Sequence, residues 1–87
     1  MVSDGHKRRN RTYIMAEILE MTKNGCLKTH IMYGANLSFD QLKGYMAFLL
    51  DVGLLQETMK GEKTVYTTTQ KGVKFLEHLH TISDLML

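Results

Sequence analysis

The sequence of 87 residues has no proline, one cysteine and only seven scattered glycines. Without a proline- or glycine-rich tract, nothing in it reads as a low-complexity linker, and its length is room for one domain. The lone Cys26 excludes an intrachain disulfide and any cysteine-rich zinc site, and it fits a reducing environment. Placed between Gly25 and Leu27, it reads as a packed small hydrophobe and not as a nucleophile. No apolar run approaches the length of a membrane-spanning helix. The first residues lack the apolar core of a secretory signal. The expectation is a soluble, cytoplasmic protein.

Catalytic patterns are missing too. There is no glycine-rich phosphate loop, no Ser/His/Asp arrangement of known type and no pair of carboxylates in a motif context. The histidines are His6, His30, His78 and His80. His78 and His80 stand two apart on a helix and so face different ways, and His30 is distant in sequence. We therefore expect no metal, no cofactor and no enzymatic activity. His80 is expected at an interface or partly buried.

Hydrophobic residues make up 44% and charged residues 23%, an ordinary globular balance. A chain this short builds a small core, which a partner subunit would help. Seven methionines suit adaptable filling of that core. The net charge is only +2, but Lys7, Arg8, Arg9 and Arg11 fall within five positions. Such a run is either a solvated tail or a source of phosphate contacts. Residues 1–8 read as a disordered basic leader, and residues 9–87 as the domain.

A helical pattern starts near Asn10, with Ile14, Ile18 and Met21 on one stripe and Met15 and Leu19 beside it. Asn24-Gly25 stops it. Residues 26–28 suit a small strand. Thr29 is the expected N-cap of a short helix carrying Ile31 and Met32, closed by Gly34 and Asn36, with Leu37 buried at the turn. Ser38 and Gln41 form a capping box for a third helix. Leu42, Met46, Leu49 and Leu50 recur along it, and Gly53 ends it. Two strands, residues 54–59 and 64–68, around the turn Lys60-Gly61-Glu62-Lys63 read as a β-hairpin. Thr69 caps a last helix whose stripe holds Val73, Leu76, Leu79 and His80 or Ile82, with Phe75, Leu85 and Met86 alongside. Gly72 in its first turn weakens it by up to about 1 kcal/mol relative to Ala.

Two short helices joined by a tight turn, with a hairpin directly after, is the layout of a winged helix-turn-helix. The fold class expected is α+β, mainly α, with a three-helix core, a β-hairpin wing and a C-terminal helix. The run Lys28-Thr29-His30-Ile31-Met32-Tyr33-Gly34-Ala35-Asn36-Leu37-Ser38 resembles the archaeal winged-helix family of small DNA-binding regulators. Tyr45, Leu49, Gly53-Leu54-Leu55, Tyr66-Thr67-Thr68-Thr69-Gln70-Lys71-Gly72 and Phe75-Leu76 continue the resemblance, which covers about residues 9–80. It implies double-stranded DNA as the partner and, for some members, dimerisation through the C-terminal helix. That helix is short here beside relatives that build a long antiparallel coiled coil.

With Leu42, Met46 and Leu49 turned inward, Asp40, Gln41, Gly44, Ala47, Phe48 and Asp51 face outward. Base contacts come mostly from the N-terminal part of a recognition helix, which selects Ser38, Gln41 and Lys43. Gly44 allows close approach to a groove. Arg8, Arg9, Arg11, Lys28, Lys60 and Lys63 are the expected phosphate contacts. The capping box is an alternative employment for Ser38 and Gln41, and Asp40 is unfavourable near phosphate. Beyond the core, Leu79, Ile82, Leu85, Met86 and Leu87 leave an apolar stripe that implies a homodimer interface. The competing reading is a winged-helix protein-protein interaction module without DNA binding.

Overall fold

The structure is a computed structural model that describes residues 10–86. The expected leader over residues 1–8, with Arg8, and also Arg9 and Leu87, lie outside the described residues. Helix α1 (Arg11–Met21) starts where the Asn10 side chain accepts the Tyr13 amide at 2.9 Å. It buries Ile14, Ile18 and Leu19. At its end the chain is fastened by polar groups inside the core. The Thr68 hydroxyl donates to the Leu19 carbonyl at 2.5 Å and lies 2.7 Å from the Thr22 hydroxyl. The Thr68 amide donates to the Thr22 carbonyl at 3.0 Å. Both threonines are buried and both are satisfied, so their burial carries no unpaired-group penalty.

Strand β1 (Cys26–Leu27) runs straight into helix α2 (Lys28–Gly34). Leu27 holds the N-cap position and no side chain caps the helix, so Thr29 does not play the capping role its sequence position suggested. The start of α2 is fixed from outside by β1, whose Cys26 pairs with Tyr66 and whose Leu27 pairs with Val65. Asn36, at φ +55, makes the turn out of α2, and Leu37 is buried beneath it. Cys26 is half-buried, and burial pushes its thiol pKa up against a smaller opposing effect of a backbone hydrogen bond at Leu27. That leaves less thiolate at neutral pH, as suits a packing residue.

Helix α3 (Phe39–Asp51) opens with the full capping box. Ser38 Oγ accepts the Gln41 amide at 3.1 Å, and Gln41 Oε1 accepts the Ser38 amide at 2.9 Å. Leu42, Met46 and Leu49 face the core. The helix closes with the Leu54 amide on the Leu49 carbonyl and the Gly53 amide on the Leu50 carbonyl, with Gly53 at φ +80. This is the Schellman pattern. Lys71 Nζ adds a bond to the Val52 carbonyl at 2.7 Å.

Strands β2 (Leu55–Lys60) and β3 (Lys63–Thr68) form the hairpin, and β1 completes a three-stranded antiparallel sheet in the order β1-β3-β2. The loop between β2 and β3 is two residues, shorter than the four-residue turn expected, because Lys60 and Lys63 are themselves a ladder pair. Gly61, at φ +64, is its first residue, where a type II′ hairpin calls for glycine.

Helix α4 (Gln70–Met86) is capped by Thr69, which accepts the Gly72 amide at 3.1 Å and donates to the Gly53 carbonyl at 2.6 Å. Leu76 is buried, and Val73, Phe75 and Leu79 are half-buried. Gly72 is buried against the sheet, where a Cβ would strike the Leu54 carbonyl oxygen and come within 2.6 Å of Thr68 Cγ2. Glycine's small propensity cost is thus the condition for seating α4 on the strands. His80 is exposed and not partly buried, one of the two placements expected for it, and its Nε2 lies 3.3 Å from Glu20 Oε2 on α1.

Candidate nucleic-acid interface

One side of α3 is core and the other is open. Phe39, Asp40, Gln41, Lys43, Gly44, Ala47, Phe48 and Asp51 are all exposed. The outward set read from the sequence is therefore on the surface. The N-terminal end of α1 lies alongside. Arg11, Thr12 and Met15 face Asp40, Gln41, Gly44, Tyr45 and Phe48 across an open groove of about 600 Å³. Arg11 thus shares a surface with two of the expected α3 contacts, Gln41 and Gly44.

A second cluster forms where the start of α2 meets β3. Lys28 and Lys63, far apart in sequence, line one shallow hollow with Thr29, Thr64 and Tyr66. Lys28 Nζ lies 5.9 Å from the centre of the Tyr66 ring. At the hairpin tip Lys60 and Lys63 are direct cross-strand partners. Like charges set opposite each other are mildly unfavourable alone and favourable beside an anion. Among the described residues, Arg11, Lys28, Lys43, Lys60 and Lys63 make no salt bridge, whereas Lys23 is paired with Glu20 at 3.1 Å. These five cations are available to an external partner.

Ser38 and Gln41 are at the surface but committed to the capping box. Lys43 Nζ rests 5.6 Å from the centre of the Phe39 ring. Sequence reasoning gave no contact role to two exposed aromatics, Tyr33 on α2 at 76% and Phe39 at the start of α3 at 58% exposure. Phe39 stands three positions before Leu42, so periodicity assigns it to the core, and only the position of the helix end relative to that core tells otherwise. Among the described residues no group of three or more His, Cys, Asp or Glu side chains is assembled as for a metal ion. No helix among them is long and apolar enough to cross a membrane.

A family profile described as winged helix-turn-helix matches residues 8–87. The chain belongs to the winged helix-turn-helix family. Two uncharacterized proteins of Methanocaldococcus jannaschii are similar to this winged helix-turn-helix chain. One, MJ0290, is 38% identical over 80 residues, covering 91% of this chain and 36% of that protein. The other, MJ0287, is 33% identical over 88 residues, covering 93% and 87%. The winged helix thus spans little over a third of one relative and most of the other. Among solved structures, Sso10a-2, a DNA-binding protein from Sulfolobus solfataricus, superposes with a TM-score of 0.77 at 25% identity, over 90% of this chain and 82% of that one. F93 from STIV, a winged-helix DNA-binding protein, gives 0.73 at 22% identity, over 92% and 96%. MepR of S. aureus in complex with DNA gives 0.72 at 14% identity, over 95% and 62%, a likeness of fold.

Proposed function

We propose that this winged helix binds double-stranded DNA as a transcription regulator or nucleoid-associated protein. Helix α3 lies in the major groove, and the wing at residues 60–63 lies on the phosphate backbone. The observation that carries the reading is the uncovered outer face of α3 together with unpaired Arg11, Lys28, Lys43, Lys60 and Lys63. The DNA-binding relatives of the same fold support it. Gly44 exposes α3 backbone for close approach. Because the capping box engages Ser38 and Gln41, phosphate contacts supply most of the affinity and sequence preference is modest. Arg8 and Arg9 extend the same cationic arm on sequence grounds.

The protein works as a homodimer through Leu79, Ile82, Leu85 and Met86 on α4. Ile82, Leu85 and Met86 are 53%, 81% and 80% exposed, an apolar stretch of α4 that the other described residues leave bare. Two copies would present two α3 helices to two half-sites.

Titration of duplex DNA at two salt concentrations tests the binding. Affinity should fall with salt, with a logarithmic slope of about −0.9 for each phosphate neutralised. Replacing both wing lysines, Lys60→Gln with Lys63→Gln, should make that slope shallower by roughly 1.8. No binding at low salt would leave the protein-interaction reading in its place.

A further inference from the structure

We propose that Phe39 is a specificity-determining residue that reads thymine through its C5-methyl group, an inference that rests on α3 entering the major groove. The first turn of a recognition helix supplies most base contacts. In this helix the polar candidates of that turn are turned back on the backbone. Ser38 Oγ is occupied by the Gln41 amide, and Gln41 Oε1 is occupied by the Ser38 amide. Bidentate pairing with adenine takes both the oxygen and the nitrogen of a glutamine amide, and here the oxygen is held by the helix itself. Asp40 is repelled by the surrounding phosphates.

Phe39 remains. It is the first residue of α3, on the stripe that three positions later carries buried Leu42, yet it is 58% exposed. Leu42, Met46 and Leu49 fill the core side of α3, while the Phe39 ring stays at the surface at the helix start. An aromatic ring held on a rigid helix end is a ready surface for the one apolar group in the major groove, the thymine methyl. Lys43, one turn on, keeps its ammonium 5.6 Å from the ring centre. A cation there belongs beside a phosphate when the ring meets a base edge.

The test compares an alternating A·T duplex with the same duplex carrying deoxyuridine in place of thymidine, which removes only the methyl groups. Binding is followed by fluorescence anisotropy with the full chain. The wild-type protein should bind the uracil duplex about fourfold more weakly for each thymine read, the ratio set by burying one methyl group. Phe39→Ala should bind both duplexes equally while unfolding at the wild-type temperature by circular dichroism, since the ring is largely solvent-exposed. Equal binding of both duplexes by the wild type overturns the role of Phe39 and leaves the DNA reading standing. So does a wild-type preference that persists in Phe39→Ala, because it would come from duplex stiffness or another residue. Failure of the wild type to bind either duplex at low salt removes the DNA reading and this inference together.

Discussion

Two glycines show how one residue type answers to fold at one place and to a partner at another. At Gly72 an added Cβ would strike the Leu54 carbonyl oxygen and Thr68, so the packing of α4 on the sheet requires glycine. At Gly44 an added Cβ meets nothing within 4 Å, so the fold makes no such demand. A glycine inside a helix costs about 0.5–1 kcal/mol relative to alanine. Gly44→Ala should therefore raise the unfolding free energy by about that amount in a denaturant titration. The same variant should bind duplex DNA more weakly, because its methyl group occupies the face that approaches the groove. Higher stability with undiminished affinity would show that this face does not press against the DNA.

The elements differ in how far their own residues determine them. Ser38, Gln41 and Gly53 announce α3 in the sequence, because a capping box and a Schellman close are local hydrogen-bond patterns. The start of α2 was not legible, since the pairing of Cys26 with Tyr66, distant in sequence, fixes it. The wing was legible as a hairpin, but the Lys60–Lys63 pairing that shortens its loop is a property of register. Helix α4 was legible both in its Thr69 cap and in an apolar stripe longer than the core it covers. Its inner part packs through Leu76, while Leu85 and Met86 stay bare. Light scattering should accordingly give twice the monomer mass, and Leu85→Lys with Met86→Lys should return the monomer with the domain still folded. A wild-type monomer at high micromolar concentration would remove the dimer.

At the scale of the molecule, the fold carries Arg11 to the groove beside α3 and Lys28 to the side of Lys63. Neither meeting could be read from local pattern, because each depends on how helices and strands pack. The sequence shows how many basic residues there are, whereas their grouping is a property of the tertiary structure. Phe39 was passed over for the opposite reason: its periodicity is that of the core, and only the tertiary structure shows it exposed. In the proposed complex the outer face of α3 and the wing form one DNA-binding surface. Amide NMR spectra recorded while duplex DNA is added test it most directly. Shifts should concentrate at residues 39–47 and 60–63 and beside Arg11, with the far end of α4 unmoved. Shifts confined to α4, or to the sheet away from the wing, would contradict it.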